Sequence, residues 1–385
     1  MLNFNFYNPT QIAFGEGKMS ELDQLIPTEA RVLILFGGQS AKTHGTIDKV
    51  KNALGTRYSE EFGGIEPNPT YETLIKAVAQ IKAHHLDFLL AVGGGSVLDG
   101  TKFVAAAVYE EGDPWEILLS QGANIKHAVP YGSVLTLPAT GSEMNSVAVI
   151  SRTEYKAKLH FGSKWVFPQF SVLDPTLSYT LPKHQLANGI VDAFTHIAEQ
   201  YLTYSVDAKV QDRFSEGLLL TLIEIGPELL KNPHDYNLQA NFMWTATLAL
   251  NGLIGAGVPQ DWATHMLGHE ITALYGLDHA QTLAIILPAM LHERRQGKHE
   301  KLLQYAQRVW NITEGSDDER IDLAIEKTRA FFESLGVKTH LSDYHIGPES
   351  VDAIIEQLTS HNMLQLGEKA DVTIDVSRHI LKAAL

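Results

Sequence analysis

The sequence contains no cysteine among its 385 residues. This absence excludes disulfide bonds, a thiolate nucleophile, an iron–sulfur cluster and a zinc ion held by cysteine. Any metal ion must therefore be held by histidine and carboxylate side chains, and the 17 histidines provide ample candidates for such a site.

Long apolar runs and clusters of basic residues are also missing. No stretch approaches the roughly 18 consecutive apolar residues of a membrane-spanning helix. Acidic residues outnumber basic ones by 45 to 30, so neither nucleic acid nor an anionic membrane is an expected partner. The opening segment, MLNFNFYNPTQ, lacks the cationic and apolar regions of a signal peptide, which favours a cytoplasmic protein.

The remaining composition is that of a globular protein, with 44% hydrophobic and 19% charged residues. The length corresponds to about two domains. Up to about residue 180, β-branched segments alternate with helical ones, which predicts a Rossmann-like parallel α/β sheet. Apolar residues then recur with helical periodicity, so we predict an α/β domain at 1–180 and an all-helical domain at 181–385.

The predicted elements follow from these patterns. A capping-box spacing of Ser316 and Glu319 supports one of the helix starts. We predict strands at 31–36, 88–92, 133–137, 147–150 and 170–173, and helices at 185–201, 207–230, 236–250, 261–275, 281–291, 316–335 and 371–382.

Small-residue loops follow three of the predicted strands: GGQS at 37–40, GGGS at 93–96 and PATGSE at 138–143. Backbone amides without obstructing side chains, placed at a helix N-terminus, form an anion site suited to a pyrophosphate. A strand-to-helix turn without a ligand would explain any one of these loops. Three of them at successive strand ends favour a dinucleotide-binding site.

The second loop differs from two better-known phosphate motifs. Leu98 stands where the third glycine of G-x-G-x-x-G belongs. The order Thr101-Lys102 after Gly100 is the reverse of a P-loop, so the lysine cannot reach a terminal phosphate. Nucleoside triphosphate hydrolysis is therefore excluded.

Histidines and a carboxylate cluster in the predicted helical domain. Asp192 and His196 are four residues apart, as are His265 and His269, so each pair lies on one helix face. His279 follows in LDHA, just before the next predicted helix. These side chains suit Fe(II), Zn(II) or a similar divalent ion, whereas the absence of HExxH argues against a zincin protease.

Together the motifs GGGSVLD and LPATGSE, the Asp192/His196 pair, and HMLGHE followed by LDHA resemble the iron-containing (group III) alcohol dehydrogenases. Within that family the chain is most similar to the butanol-dehydrogenase branch, from the first strand to the C-terminal helix. The resemblance implies a dehydroquinate synthase-like fold, with an N-terminal dinucleotide-binding domain, a helical C-terminal domain and a metal in the cleft between them. It also implies a homodimer.

The resemblance further implies roles for particular residues. Asp192, His196, His265 and His279 are the implied ligands of one divalent ion, either iron or zinc. His269 is the implied catalytic residue beside the nicotinamide, with a fifth ligand or a packing residue as the alternatives. The implied NADP(H)-binding residues are Gly37, Gly38, Ser40, Asn68, Gly94, Gly95, Ser96, Asp99, Thr136, Thr140, Asn145 and Lys158.

The first loop indicates which coenzyme is preferred. NAD-preferring sites place a carboxylate beside the adenosine ribose, but no acidic residue occurs between Phe36 and Asp48. Two glycines leave room for a 2′-phosphate, and Ser40 adds a hydroxyl donor. The implied function is NADP(H)-dependent hydride transfer to a short- or medium-chain aldehyde, or from the corresponding primary alcohol.

Other functions remain open at this point. A metal-dependent cyclase or lyase resembling dehydroquinate synthase would share the architecture, but it needs basic residues for a phosphorylated acid substrate. A glycerol or diol dehydrogenase is a further alternative. A dinucleotide-binding regulator without activity would leave the histidines unexplained. The metal-ligand segments are flanked instead by apolar residues that suit an apolar aldehyde: Phe194, Trp244, Leu253, Ile254 and Trp262.

Overall fold

The computed structural model describes all 385 residues, which form two compact units. The α/β unit comprises Tyr7–Leu181 and His234–Thr247. The helical unit comprises Met1–Phe6, Pro182–Pro233 and Leu248–Leu385. A single boundary near residue 180 does not describe these units. The first six residues precede it but belong to the helical unit, and residues 234–247 follow it but belong to the α/β unit. The predicted domains 1–180 and 181–385 stay a prediction.

Six parallel strands form the central sheet of the α/β unit, in the order β1-β8-β5-β4-β2-β3. The other four strands form two antiparallel pairs, β6 with β7 and β9 with β10. The strands are β1 (Gln11–Phe14), β2 (Val32–Phe36), β3 (Ser59–Phe62), β4 (Phe88–Gly94), β5 (Tyr131–Leu137), β6 (Val147–Arg152), β7 (Ala157–Gly162), β8 (Phe170–Leu173), β9 (Gln365–Leu366) and β10 (Val372–Thr373).

Fifteen α-helices complete the fold, and no helix combines the length and the apolar composition that crossing a bilayer requires. They are α1 (Leu22–Leu25), α2 (Ser40–Thr43), α3 (Thr46–Leu54), α4 (Tyr71–His84), α5 (Gly95–Ala107), α6 (Glu116–Leu119), α7 (Lys183–Tyr201), α8 (Lys209–Lys231), α9 (Tyr236–Ala249), α10 (Ala263–Tyr275), α11 (His279–Glu293), α12 (His299–Arg308), α13 (Asp317–Ser334), α14 (Ser350–Ser360) and α15 (Ile374–Ala383).

The sheet is buried on both faces, which explains its nearly continuous apolar strands. Leu33 and Leu35 of β2 join a core cluster with residues of α4 and α5 on one face. The intervening Val32 and Ile34 join residues of α3 in a second cluster on the opposite face. The carboxyl ends of β2, β4 and β5 are neighbours in this sheet, so the three small-residue loops leave its same edge.

Most predicted elements are confirmed, including the capping box of Ser316 and Glu319 at the start of α13. The predicted strand at 147–150 is part of β6, but it pairs antiparallel with β7 outside the parallel sheet. Strands β1, β3, β7, β9 and β10 and helices α12 and α14 were not predicted, and no bounds were predicted for helices α1 to α6. The sequence SEEF explains why β3 was missed, since two adjacent glutamates are unusual in a strand.

Candidate functional site

Three helices of the helical unit bring the predicted metal ligands together. Asp192 and His196 lie one turn apart on α7, His265 lies on α10 and His279 is the first residue of α11. Helix α11 packs against both α7 and α10. His279 was expected just before this helix. The helix starts two residues before its predicted first residue, 281, because the capping box of Asp278 and Gln281 places its start at His279.

The donor atoms surround one carboxylate oxygen at spacings that fit a metal ion. The Nε2 atoms of His196, His265 and His279 lie 3.6, 3.9 and 3.8 Å from Oδ1 of Asp192. These separations are too long for hydrogen bonds. Ligands of a tetrahedral ion with bonds of 2.0–2.2 Å are about 3.4 Å apart, so this donor set fits a divalent cation.

The environment of the histidines sets their charge. Burial lowers the pKa of His196 to about 4, so its imidazole is neutral at pH 7 and keeps a lone pair for a cation. Burial acts in the same direction on His265, but the carboxylates of Glu199 and Asp192 overcome it and raise its pKa to about 9. Two buried carboxyl groups, Asp192 and Glu199, thus lie beside the imidazoles. Burial raises the pKa of Glu199, and its contact with His265 opposes this shift.

Sequence reasoning missed Glu199, which is buried on α7 beneath His265. Its Oε1 accepts a 2.7 Å hydrogen bond from the Thr264 amide, and its Oε2 contacts Nδ1 of His265. A signal was present, because Glu199 stands seven residues after Asp192 and hence two turns further along the same helix face. Its partners, Thr264 and His265, lie on α10, so they become apparent only from the packing of α10 against α7.

His269 lies one turn after His265 on α10 and is also buried. Its ring centroid is 5.2 Å from that of His279 and 6.4 Å from that of His265. It therefore borders the cluster. Asp192, His265 and His279 have ligand atoms all within 4.8 Å of one another, whereas the predicted ligand His196 is not in this group, although its Nε2 lies 3.6 Å from Asp192 Oδ1. The predicted catalytic role of His269 stays a prediction.

Not all of the apolar residues expected around the metal lie there. Trp262 does, since its ring centroid is 5.4 Å from that of His265. Phe194 instead packs against Phe331 and Phe332 in the core of the helical unit. Trp244 belongs to the α/β unit, where it packs against Phe14. Successive residues of a helix point to different faces, so a residue close to a ligand in the sequence need not be close to the metal site in space.

In the α/β unit the glycines where β4 passes directly into α5 pack against the segment at the end of β5 and the loop that follows it. A Cβ atom on Gly95 would lie 2.4 Å from the Thr140 side chain, and one on Gly94 would lie 2.9 Å from Leu137. Glycine is therefore required at both positions for the two loops to approach each other. Helix α5 begins at Gly95, which puts its unpaired N-terminal amides at the carboxyl end of the sheet.

A buried lysine that the predictions did not include joins α5 to this second loop. Lys102 donates to Ser142 Oγ at 2.8 Å, to Asn145 Oδ1 at 2.8 Å and to the Val147 carbonyl at 2.7 Å. Asp99 accepts a 2.6 Å hydrogen bond from Ser142. Burial lowers the pKa of Lys102 to about 8 although Asp99 opposes this shift. Asp99 and Asn145 thus make contacts within the protein, and their cofactor roles stay predictions.

The remaining predicted cofactor residues occupy the same edge of the sheet or its surroundings. Lys158 on β7 donates a 2.8 Å hydrogen bond to Asn68, although 90 residues separate them. Ser96 is the second residue of α5, and Thr136 lies near the end of β5. These positions agree with the expected arrangement of loops but do not test contact with a cofactor.

An ion pair that the sequence did not reveal involves Lys42, two residues after the first loop. Gly38 is open to solvent on its Cβ side, with no atom within 4 Å of an added Cβ. Lys42 forms a 2.6 Å ion pair with Glu61 of the adjacent strand β3, and Lys51 contacts the same carboxylate. Hydrogen bonds from Lys42 and Lys51 lower the pKa of Glu61, so this carboxylate stays ionised beside two lysines.

Comparison with known proteins extends these findings. Residues 9–175 match the model of the iron-containing alcohol dehydrogenases, and residues 186–385 match that of the C-terminal part of the same family. The chain is 62% identical to the NADPH-dependent aldehyde reductase YqhD of Escherichia coli (strain K12), with 100% of both chains covered. It is 40% identical to a probable NADH-dependent butanol dehydrogenase of Bacillus subtilis (strain 168), again over 100% of both chains.

Solved structures agree with the sequence comparisons. A crystal structure of E. coli K-12 YqhD superimposes with a TM-score of 0.99 at 61% identity, covering 100% of this chain and 99% of that one. The NADH-dependent butanol dehydrogenase A of Thermotoga maritima gives a TM-score of 0.95 at 34% identity, with 100% and 99% of the two chains covered. The predicted resemblance to the butanol-dehydrogenase branch is confirmed. Family models over both parts of the chain and full-length relatives lead to one conclusion: this chain is an oxidoreductase that belongs to the iron-containing alcohol dehydrogenase family.

Proposed function

We propose that the chain is a metal-dependent, NADP(H)-dependent alcohol dehydrogenase that acts as an aldehyde reductase on short- to medium-chain aldehydes. The observation that carries the metal requirement is the set of three imidazole nitrogens at 3.6–3.9 Å from one Asp192 oxygen. The observation that favours aldehyde reduction with NADPH is 62% identity, over the full length, to a relative named for that activity.

In this proposal Asp192, His196, His265 and His279 hold one divalent ion, iron or zinc. Bound there, such an ion supplies Lewis acidity that polarises a carbonyl group, and NADPH supplies the hydride. Burial keeps His196 neutral, and the α7, α10 and α11 backbones hold all four donors in place without a flexible loop. This rigidity favours a fixed position for the substrate oxygen.

His269 has a separate role in the proposal. It lies beside His279 at the rim of the ligand cluster, with an exposed fraction of only 3%. A buried imidazole beside the ligand cluster suits the delivery of the proton that the product oxygen gains during aldehyde reduction. We assign it to substrate contact and proton transfer, outside the metal coordination.

The coenzyme is proposed to bind at the carboxyl edge of the sheet in the α/β unit. Gly94, Gly95 and Ser96, at the N-terminus of α5, suit the pyrophosphate. Gly37, Gly38 and Ser40 suit the adenosine ribose and its 2′-phosphate.

The charges near the first loop favour NADP(H) to a moderate degree. Lys42 and Lys51 outweigh the single Glu61 between them, which leaves one net positive charge near the loop. The E. coli relative is named for NADPH and the B. subtilis relative for NADH, so the coenzyme preference varies within the family. We propose that the absence of a carboxylate on the first loop itself decides it here.

We also propose a homodimer in the cytoplasm, acting on small molecules without a nucleic-acid or membrane partner. The excess of acidic residues supports the last part of this proposal. Size-exclusion chromatography with light scattering tests the dimer directly.

The coenzyme comparison tests the proposed function. Butanal reduction is followed at 340 nm with NADPH and with NADH, and kcat/KM is determined for each. We expect NADPH to be preferred by a factor on the order of a hundred, since two hydrogen bonds to a charged phosphate at about 1.5–3 kcal/mol each suffice for that. Equal values or a preference for NADH would contradict the assignment of the first loop.

A further inference from the structure

The start of helix α10 depends on two buried carboxylates. The Ala263 amide donates to Asp261 at 3.1 Å, and the Thr264 amide donates to Glu199 at 2.7 Å. The preceding Trp262 adopts the left-handed conformation with φ of 65° and provides no side-chain cap. The first amides of a buried helix need partners, and these two carboxylates supply them.

Glu199 contacts more than the helix terminus. Its second carboxylate oxygen contacts Nδ1 of His265, while Nε2 of the same ring faces Asp192 at 3.9 Å. The side chain of Glu199 is 1% exposed, so water does not compete for either oxygen. Because Glu199 lies on the Nδ1 side of the ring, it cannot bind the same cation as Nε2.

A carboxylate can only accept hydrogen bonds, so Nδ1 of His265 carries the hydrogen in this contact. Nε2 is then the nitrogen that is left to bind a cation. The Thr264 amide holds the other carboxylate oxygen, and since Thr264 directly precedes His265, one side chain fixes both the backbone and the ring.

We propose that Glu199 is a positioning residue for the metal, which selects the tautomer of His265 and holds its ring plane toward Asp192. The inference rests on the proposed function in one respect, that a divalent ion binds at Asp192, His196, His265 and His279. Partners of this kind on metal-binding histidines change metal affinity by about 10- to 100-fold.

Two substitutions of Glu199 separate this role from a purely structural one. In Glu199→Gln the amide oxygen can serve either Thr264 or His265, and the NH₂ group then faces the other donor. The metal-free protein can place the oxygen at the Thr264 amide, whereas metal binding requires it at Nδ1 of His265. Metal binding therefore costs the hydrogen bond from the Thr264 amide, which lowers the affinity of this variant for the metal. In Glu199→Ala the conflict is absent, but two hydrogen bonds are lost and a cavity forms.

The two roles predict different metal affinities. If Glu199 positions His265, affinity falls from wild type to Glu199→Ala to Glu199→Gln, although Glu199→Ala is the less stable protein. If Glu199 serves only to stabilise the fold, both variants melt earlier and keep the wild-type affinity for the metal.

The experiment is a competition titration of the metal-free proteins with Zn(II) against a chromophoric chelator, together with thermal melting of the same samples. Glu216→Gln is the matched control, because Glu216 is also buried in the helical unit and accepts hydrogen bonds from Tyr201 and Arg308, neither of which is a predicted ligand. We expect this control to melt earlier and to keep the wild-type affinity for Zn(II). Glu199→Gln should lose about 10- to 100-fold in affinity.

Two results would overturn the inference: wild-type affinity in Glu199→Gln, or weaker binding by Glu199→Ala than by Glu199→Gln. Failure of the proposed function gives a different result, because the wild-type protein would then not bind Zn(II) at one ion per chain.

Discussion

At the scale of single residues, the candidate metal centre depends on few atoms. One oxygen of Asp192 faces three imidazole nitrogens at nearly equal distances, and each imidazole comes from a different position along the chain. The loss of any one donor leaves a site of three ligands at most. Substitutions at these positions should therefore act on metal content first and on activity through it.

Replacement of His279 tests the ligand assignment. His279→Ala removes one imidazole from the first turn of α11, where its side chain is 23% exposed and its loss disturbs little packing. We expect metal affinity to fall by more than the roughly 10- to 100-fold loss typical of supporting residues, and activity to fall with it. Elemental analysis of the purified variant is the measurement. Full occupancy at one ion per chain would show that the ligand set is wrong.

Replacement of His269 tests its separation from the ligands. His269→Ala should retain the metal and lose about 10²- to 10⁴-fold in turnover, the usual contribution of a proton-transferring side chain. His292→Ala serves as the control, because His292 on α11 is 56% exposed and stands apart from the cluster. Loss of metal together with activity in His269→Ala would count against the assignment.

The buried Lys102 predicts a pH dependence of stability. Its pKa is about 8 in the folded protein and 10.5 when exposed, so between these values the unfolded state binds more protons than the folded state. Stability due to this group therefore rises as the pH increases from 8 to 10.5, by an amount on the order of 3 kcal/mol. Urea unfolding of wild type and Lys102→Met across this range measures the difference. A difference that stays constant with pH would contradict the assignment.

At the scale of elements, the loop after β2 determines the predicted coenzyme preference. Gly38→Asp introduces a carboxylate where an added Cβ meets no atom within 4 Å, so the loop can keep its conformation. Repulsion of the 2′-phosphate should lower kcat/KM for NADPH by about 10- to 100-fold, the equivalent of one lost hydrogen bond to a charged group. The value for NADH should be unchanged or higher.

Gly38→Asn is the matched control, since it has nearly the same size without the charge. It should keep the preference for NADPH. An equal loss in both variants would indicate that size, and not charge, explains the effect.

The elements also show what the sequence could predict. Buried strands such as β2 and β4 were predictable, because each is a short run of apolar residues between turns. The histidine pairs were predictable from their i, i+4 spacing alone. Strand β3, with its two glutamates, and the hairpin of β6 with β7 depend on pairing with distant segments, which no local pattern records.

The same limit applies to the candidate site. Glu199, Lys102 and Glu61 are ordinary charged residues in the sequence, and each acquires its contacts only when another element approaches it. Local patterns located the residues whose chemistry is specific, namely histidines and glycines. The carboxylates and the lysine that support them became apparent only in three dimensions.

At the scale of the whole molecule, two units divide the chemistry. The glycine loops belong to the α/β unit, and the histidine cluster belongs to the helical unit. The family models match one region in each half of the chain, at residues 9–175 and 186–385. We propose that both parts are needed, so that aldehyde reduction requires NADPH and a divalent ion together.

The most direct test of this claim is butanal-dependent oxidation of NADPH by one preparation before and after removal of metal with a chelator. We expect activity to disappear on removal of the metal and to return when one equivalent of Fe(II) or Zn(II) per chain is added. Undiminished activity in protein shown to be free of metal would contradict it.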